Sequence, residues 1–282
     1  MSFIDNLPEK WTKEQLPEGR ISLLKEGVIT LVGLKTLESE ALFTSSEGIG
    51  TLRETAKVTF AGEDRYWLLA RKVNGVIRRV LLNSLQIQNC TVDVPCVNCD
   101  VCLLLGALNP DAKKAWFSRV KLQDLISIQK YEYDEKFRIR LDEKAITEVA
   151  GTTPFQEVII PPGTEFPFIV RLFKPSKFDL QAFLYGNRVA DIMGYGSYSK
   201  LRGDATTRWL MIADGLPYIS MEELLVSASG GKSVEDQLTE FSQKPRGPVG
   251  EIISKNINEV VDSLIEEFIE KYNIKVSAVE MK

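Results

Sequence analysis

Met193–Asp204 reads Met-Gly-Tyr-Gly-Ser-Tyr-Ser-Lys-Leu-Arg-Gly-Asp, a loop in which three glycines enclose two tyrosines and two cations. Glycine adopts positive φ at no steric cost and lets backbone N–H groups come close to a ligand, so such a loop can cradle phosphates. Tyrosines beside cations are typical of surfaces that bind a nucleic-acid backbone. A loop that only turns the chain has the same composition. The stretch matches neither the P-loop pattern nor the dinucleotide-binding fingerprint.

Length and composition predict a globular protein. The chain has 282 residues, of which 44% are hydrophobic and 26% are charged, so it can bury a sizeable core. No apolar run reaches the roughly 18 residues of a membrane span, and the first residues do not form a signal peptide. We therefore expect a cytoplasmic protein without a membrane partner.

The sequence contains no histidine. Serine–histidine and cysteine–histidine nucleophile systems and every histidine metal ligand are therefore excluded.

The formal net charge is −4, and ten acidic residues against six basic ones lie from Glu235 onward, so the charges of the first 234 residues are balanced. Binding to nucleic acid would need local basic patches rather than a basic protein.

All four cysteines fall in one short stretch with the spacing C-x5-C-x2-C-x2-C, at Cys90, Cys96, Cys99 and Cys102. Four thiolates at this spacing can surround a zinc ion tetrahedrally, and the absence of an open position makes such a site structural. An iron–sulfur cluster is the rival, because C-x2-C-x2-C also begins a ferredoxin motif. A reducing compartment disfavours disulfides.

Two cation pairs flank an Asn-Gly dipeptide in Arg71–Arg79. Asn-Gly between apolar runs is typical of a two-residue β-hairpin. The predicted hairpin brings Arg71, Lys72, Arg78 and Arg79 together, either as a phosphate clamp or as a solvated rim.

Short strand patterns alternate with few helical ones. We predict strands at residues 21–34, 57–60, 66–70, 157–160, 168–173 and 209–212, a Pro-Pro-Gly turn at 161–163, and amphipathic helices over 178–193 and 253–272. The charged run 121–149 is predicted to project from the core. These short strands and two helices permit an α+β fold. We divide the chain into a discontinuous core at 1–85 and 155–230, a cysteine-bearing insertion at 86–154 and a C-terminal helical segment at 231–282.

The order of these features resembles the backbone subunits of CRISPR Cascade complexes, a superfamily of repeat-associated proteins that bind guide RNA, and within it the type I-D branch. The resemblance covers about Gly27 to Ala228. It rests on the strand that starts at Gly27, the predicted Arg71-Lys72 hairpin, the cysteines leading into Leu-Leu-Gly, the stretch Pro161–Phe166, and Gly194-Tyr195-Gly196 followed by Arg202-Gly203.

The resemblance implies a ferredoxin-like, RNA-recognition-type core and a non-enzymatic subunit that holds guide RNA by its sugar-phosphate backbone. Its partners would be the guide RNA, a target nucleic acid paired with the guide, further copies of the chain and other Cascade subunits. By position, the RNA-binding residues would be Arg71, Lys72, Arg78, Arg79, Gly194, Tyr195, Gly196, Ser197, Lys200 and Arg202.

Two other interpretations stay open at this stage. Related type III subunits cleave target RNA with a loop aspartate, and Asp93, Asp100 or Asp124 would be the candidates here. A zinc-bearing ferredoxin-like module unrelated to RNA is the second, and it predicts no salt-dependent binding of guide RNA.

Overall fold

A computed structural model describes residues 2–17, 26–44, 52–140, 153–197, 199 and 201–274. The strands are β1 (Val28–Leu37), β2 (Leu52–Glu54), β3 (Lys57–Phe60), β4 (Glu63–Leu68), β5 (Ala107–Asn109), β6 (Lys114–Trp116), β7 (Val120–Leu122), β8 (Leu125–Lys130), β9 (Glu135–Arg140), β10 (Thr153–Val158), β11 (Glu165–Phe173), β12 (Ala205–Gly215) and β13 (Val249–Ile253). The helices are α1 (Ala70–Ser84), α2 (Asp100–Leu105), α3 (Lys177–Met193), α4 (Met221–Ser229), α5 (Val234–Gln243) and α6 (Ile257–Lys271), and the short 3-10 helices Phe3–Asn6 and Lys13–Gln15 precede β1.

A five-stranded antiparallel sheet with the order β13-β12-β1-β11-β7 forms the centre of the molecule. β1 lies in the middle, and Leu31 pairs with Val170 on β11 and with Ile212 on β12. Nearly every residue of β1 is buried, which explains why apolar residues point to both faces of the strand, because a strand covered on both faces does not follow the apolar-polar alternation.

The chain visits four strands of this sheet in the order β1, β7, β11 and β12, and in space they lie in the order β12-β1-β11-β7. α1 lies between the first and second of these strands in the chain, and α3 lies between the third and fourth. α1, α3 and α6 bury their apolar sides in one core with one face of the sheet. α4 and α5 cover the other face in a second, smaller core.

The start of α3 is fixed by a buried ion pair. Arg119, which precedes β7, donates from both guanidinium nitrogens to the carboxylate of Asp179, at 2.6 Å each. Asp179 lies in the first turn of α3 and also accepts from Ser176, the N-cap residue. The pair holds α3 against the β7 side of the sheet, and its parallel hydrogen bonds make the geometry specific.

The predicted hairpin at Arg71–Arg79 is wrong, because these residues form about the first two and a half turns of α1. Val73, Val76, Ile77, Val80 and Leu81 are buried, and their spacing is that of one helical face. This apolar periodicity outweighs the local turn preference of Asn-Gly. The helix instead presents Arg71 and Arg79 to solvent.

Two predicted ranges include strands of the central sheet. β7 falls within residues 86–154, which were expected to form the insertion, and β13 falls within the expected helical segment 231–282.

The helix expected at 178–193 is present as α3, and α6 packs on the protein's own core as expected. The run 121–149 was predicted to project from the core, and this is wrong for its first part, because β7 and β8 pair with β11 and β4 and Leu125 is a buried core residue. Residues 141–149 of the run lie outside the described residues. Among the helices that the structure describes, none is long and apolar enough to cross a membrane.

Candidate nucleic-acid interface and metal centre

The solvent-facing side of α1 carries a basic ridge formed by Arg71, Gly75 and Arg79. Both arginine side chains are exposed, and neither forms an ion pair with any residue in the described part of the chain. A methyl group at Gly75 would lie 4.0 Å from Arg79 Nη1 and close to nothing else, so the guanidinium of Arg79 extends back over the glycine toward Arg71. The two arginines lie eight residues apart, about 12 Å along the helix axis.

Lys72 and Arg78 lie on the same helix but bind other parts of the protein. The ammonium of Lys72 donates to the carbonyl of Thr44, and burial together with the charge of Arg71 lowers the pKa of Lys72. Arg78 donates from Nη1 to Cys102 Sγ at 3.7 Å and from Nη2 to the carbonyl of Gly106. Of the four predicted phosphate contacts, Arg71 and Arg79 are thus exposed, and Lys72 and Arg78 are hydrogen-bonded within the protein.

The glycines of the predicted phosphate loop are required by the protein's own backbone. Gly194, Gly196 and Gly203 have φ of 77°, 86° and 91°. A Cβ at Gly196 would lie 2.4 Å from the carbonyl oxygen of Leu42, and one at Gly203 would lie 2.1 Å from that of Tyr195. The N–H groups of Tyr195 and Ser197 donate to Gly203 and Leu42, so they are not available to a phosphate. Gly196 is exposed and Ser197 is half-buried; Lys200 lies outside the described residues.

Tyr195 points into the protein and does not offer a stacking face. Its side chain is fully buried, and its hydroxyl donates to Asp191 Oδ1 at 2.7 Å. Burial and the Asp191 carboxylate raise the pKa of Tyr195 well above its usual range. Lys35 Nζ lies between the rings of Tyr195 and Phe168, 4.9 and 4.8 Å from their centroids.

Lys35 is the centre of this buried network, which the sequence analysis missed. It is 0% exposed, forms an ion pair with Asp191, and donates to Thr207 Oγ1 at 2.6 Å and to Asn187 Oδ1 at 3.1 Å. Burial lowers the pKa of Lys35, and Asp191 acts in the opposite direction. The available signal was that Lys35 is the one charged residue of β1, because buried charges require partners.

Arg202 is also directed inward. Its guanidinium binds the buried carboxylate of Glu157 at 2.8 and 3.0 Å and that of Glu40 at 3.3 Å. Burial alone would lower the pKa of Arg202, but these two carboxylates raise it. Glu40 also pairs with Lys136 at 2.9 Å, so Arg202 ties the glycine loop to the sheet formed by β9 and β10.

The loop and the basic helix meet at one end of the central sheet, where β1 ends and β11 and β12 begin. The segment Leu42–Thr44 lies between them. The carbonyl of Leu42 accepts from Ser197 at 2.8 Å, and that of Thr44 accepts from Lys72. The structure thus brings two distant predicted elements together, although several of their side chains serve the protein's own packing.

The four cysteines form a compact thiol cluster. The Sγ atoms of Cys90, Cys96, Cys99 and Cys102 all lie within 4.8 Å of one another, and those of Cys90 and Cys102 are 3.4 Å apart. A tetrahedral zinc ion bound to four sulfurs at about 2.3 Å requires sulfur separations of about 3.8 Å. The residues therefore fit a single metal ion of the size of zinc.

The surroundings of the sulfurs also suit thiolate ligands. The N–H groups of Asn98 and Cys99 donate to Cys96 Sγ at 3.4 and 3.3 Å, and that of Cys96 donates to Cys90 Sγ at 3.3 Å. The pKa of Cys102 is lowered to about 5, first by the hydrogen bond from the Cys99 thiol. The same hydrogen bond raises the pKa of Cys99, and burial raises the pKa of Cys90 to about 11, so in the absence of a metal ion Cys102 is the thiolate of the three. Hydrogen bonds of this kind orient and stabilise metal-bound sulfur.

The three aspartates considered for cleavage have different surroundings and share no partner among the contacts below. Asp124 accepts from the N–H of Ala70 at 2.7 Å and so caps α1. Asp100 forms an ion pair with Lys10 at 2.7 Å, and Asp93 is exposed. Within the described residues, the cysteine cluster is the one group of three or more metal-binding side chains.

No protein-family model matches the chain, and no curated protein matches it by sequence. Among solved structures, Csc2 from Thermofilum pendens matches with a TM-score of 0.58 and 17% identity over 89% of this chain and 84% of Csc2. A chain of a type III-B Cmr-beta complex bound to cognate target RNA matches with a TM-score of 0.48 and 14% identity over 67% of this chain and 61% of that one. A chain of a type IV-B CRISPR complex matches with a TM-score of 0.45 and 10% identity over 64% of this chain and 90% of that one. The chain is therefore similar to Csc2 in fold along most of both lengths.

Proposed function

We propose that this chain binds CRISPR guide RNA by its sugar-phosphate backbone and polymerises along it as the backbone subunit of a type I, Cascade-like interference complex. The observation that carries the proposal is the fold match to Csc2 over 89% of the chain. The sequence resemblance to the type I-D backbone subunits, over about Gly27 to Ala228, supports the proposal independently. In this role, base pairing with the guide reads the target, and the protein supplies only binding and spacing.

The strand order supports a ferredoxin-like core. In that fold two β-α-β units interleave, so the strands lie in the spatial order fourth, first, third, second. β12, β1, β11 and β7 follow this order, with α1 and α3 as the crossover helices. The sheet face opposite these helices is covered by α4 and α5, so we place the RNA at the end of the sheet rather than on its face.

We assign the primary phosphate contacts to Arg71 and Arg79. They are exposed, they form no ion pair within the described residues, and the glycine between them removes the side chain that would hold a phosphate away from the helix. An interior glycine costs a helix about 0.5–1 kcal/mol relative to alanine. Among the described residues, a Cβ at Gly75 would meet only Arg79 Nη1, at 4.0 Å, so we attribute the glycine to close approach of a phosphate held by Arg79.

The buried residues of the glycine loop have an indirect role in this proposal. Tyr195 and Arg202 fix the loop from inside the protein, through Asp191 and Glu157 respectively. The loop then presents Gly196 and Ser197 beside the basic helix. Next to it, Ile192, Met193 and Leu201 are 48%, 52% and 85% exposed, a small apolar surface suited to a neighbouring subunit.

The cysteine cluster is assigned to a structural zinc ion. Four sulfur ligands leave no open position for substrate or water, so the ion would supply folding energy and no catalytic chemistry. The proposal includes no catalytic step for any residue. Cleavage of a target paired with bound guide, lost when Asp93, Asp100 or Asp124 is replaced, would contradict this.

The proposal is tested by the salt dependence of binding to single-stranded guide RNA. Each phosphate contact with single-stranded nucleic acid contributes about −0.7 to the slope of log K against log salt. We expect Arg71→Ala with Arg79→Ala to make the slope less steep by about 1.4 per subunit. Lys244→Ala with Lys255→Ala is the control, because it removes the same charge from exposed positions beyond α5 and β13. Equal slopes for both double variants would refute the assignment.

A further inference from the structure

We infer that Arg78 is a positioning residue of the cysteine metal centre, which it joins to α1, and that it is not an RNA contact. Its planar guanidinium bridges two acceptors that belong to the cysteine-bearing segment, the sulfur of Cys102 and the carbonyl oxygen of Gly106. The inference concerns the metal centre, so its main test does not depend on RNA binding.

The acceptors are held in place by the surrounding backbone. Cys102 lies on α2, which packs beside α1, and its side chain is fully buried. Gly106 follows α2 with a φ of 74°, and a Cβ there would lie 2.7 Å from the backbone nitrogen of Ser118. Only glycine fits at this position, and the carbonyl that it carries is directed at Arg78.

The chemistry of the site explains why a cation belongs there. Four thiolates around a divalent ion carry a net charge of −2, and Cys90 and Cys102 are both buried. A buried negative site is stabilised by a charge-assisted N–H donor. In the described part of the chain, Arg78 is the cation whose side chain donates to one of the four sulfurs. A lysine would supply the charge but not the rigid fork that reaches both acceptors.

Arg78 and Arg79 are consecutive in sequence yet point to different surroundings. Arg78 is half-buried against the metal centre, and Arg79 is exposed on the basic ridge. Binding of metal would therefore fix the orientation of α1, and with it the ridge. This last consequence rests on the proposed function, whereas the role of Arg78 at the sulfurs does not.

The full chain would be loaded with zinc, and its affinity measured by competition with a chromophoric chelator. Loss of a partner of this kind lowers metal affinity by about 10- to 100-fold, and we expect this for Arg78→Met. Arg79→Met is the matched control and should bind zinc as the wild type does. In cobalt-substituted protein, the sulfur-to-cobalt charge-transfer band should move to lower energy in Arg78→Met alone, because the thiolate loses a hydrogen bond.

If Arg78→Met does not fold, Arg78→Lys serves instead, and a smaller loss of zinc affinity with the same direction of band shift is expected. Wild-type zinc affinity and an unchanged cobalt spectrum in the Arg78 variants would overturn the inference, as would a wild-type chain that binds neither metal. With zinc saturating, Arg79→Met should weaken RNA binding more than Arg78→Met, because Arg79 contacts the RNA and Arg78 acts only through the position of α1. The reverse result would make Arg78 an RNA contact. A wild-type chain that binds zinc but no RNA would refute the proposed function and leave the zinc measurements as the test.

Discussion

Replacing Lys35 by methionine tests the buried network beneath the glycine loop. The ammonium is 0% exposed and is bound by Asp191, Thr207, Asn187 and the hydroxyl of Tyr195. Methionine has a similar length and flexible packing, so the change removes the charge and its hydrogen bonds while leaving little empty space. The carboxylate of Asp191 then stays buried without its cation.

Removing one partner of a buried ion pair costs about 3–5 kcal/mol. Asp191 would keep hydrogen bonds from Tyr195 at 2.7 Å, Thr207 at 2.6 Å and Asn187 at 3.3 Å. These three donors place the expected loss at the lower end of the range, about 3 kcal/mol. With an unfolding entropy of about 2.1 cal/mol/K per residue, that corresponds to a fall in Tm of about 5 °C for a chain of this length.

The assay is thermal unfolding together with urea titration at constant m-value. Adding Asp191→Asn should recover part of the loss, because it removes the unpaired charge and keeps the shape and most hydrogen bonds of the side chain. Trypsin should cleave after Arg202 faster in Lys35→Met than in the wild type, because the loop loses an anchor. A loss below about 1 kcal/mol, within the range of an exposed pair, would refute a buried ion pair at this position.

Three further predictions concern single residues. Gly203→Ala should destabilise the protein by clearly more than the control Gly163→Ala. Both glycines have positive φ, but only at Gly203 would the added methyl group lie 2.1 Å from an oxygen, the carbonyl oxygen of Tyr195. Equal Tm values for the two variants would contradict the loop geometry. Cys96→Ser should lower both the zinc content and Tm, since a structural ion contributes folding energy, and a metal-free wild type of equal stability would contradict this. Tyr195→Phe should reduce the loss of stability above about pH 10. The pKa of Tyr195 is raised in the folded state, so above about pH 10 the unfolded chain ionises first and the wild type becomes less stable as the pH rises. Parallel curves of stability against pH for the two proteins would refute this.

The central parts of the fold were predictable from local patterns. The apolar run that forms β1, the Pro-Pro-Gly turn before β11 and the amphipathic pattern of α3 and α6 each specify one structure. The helix at Arg71–Arg79 was misjudged because a two-residue turn signal was preferred to the longer periodicity of buried valines, isoleucines and leucines. The strand order follows from pairings between distant segments, which no local pattern contains.

The site was harder to predict because its partners are distant in sequence. Tyr195 and Arg202 belong to a loop with the composition of a phosphate-binding surface, yet their partners Lys35 and Glu157 lie 160 and 45 residues away. Composition identifies residue types that can bind RNA but does not distinguish inward from outward side chains. The cysteine spacing was more informative, because the ligands of a metal site in one short segment are close in space whatever the rest of the fold.

The most direct test of the central claim is titration of the purified chain with single-stranded repeat-spacer RNAs of increasing length at several salt concentrations, followed by mass measurement of the complexes. The account predicts binding that weakens linearly in log K against log salt, with subunits added stepwise as the RNA lengthens. A folded chain that binds no RNA at moderate salt, or binds one copy whatever the RNA length, would contradict a guide-coating subunit and leave a zinc-bearing module of the same fold.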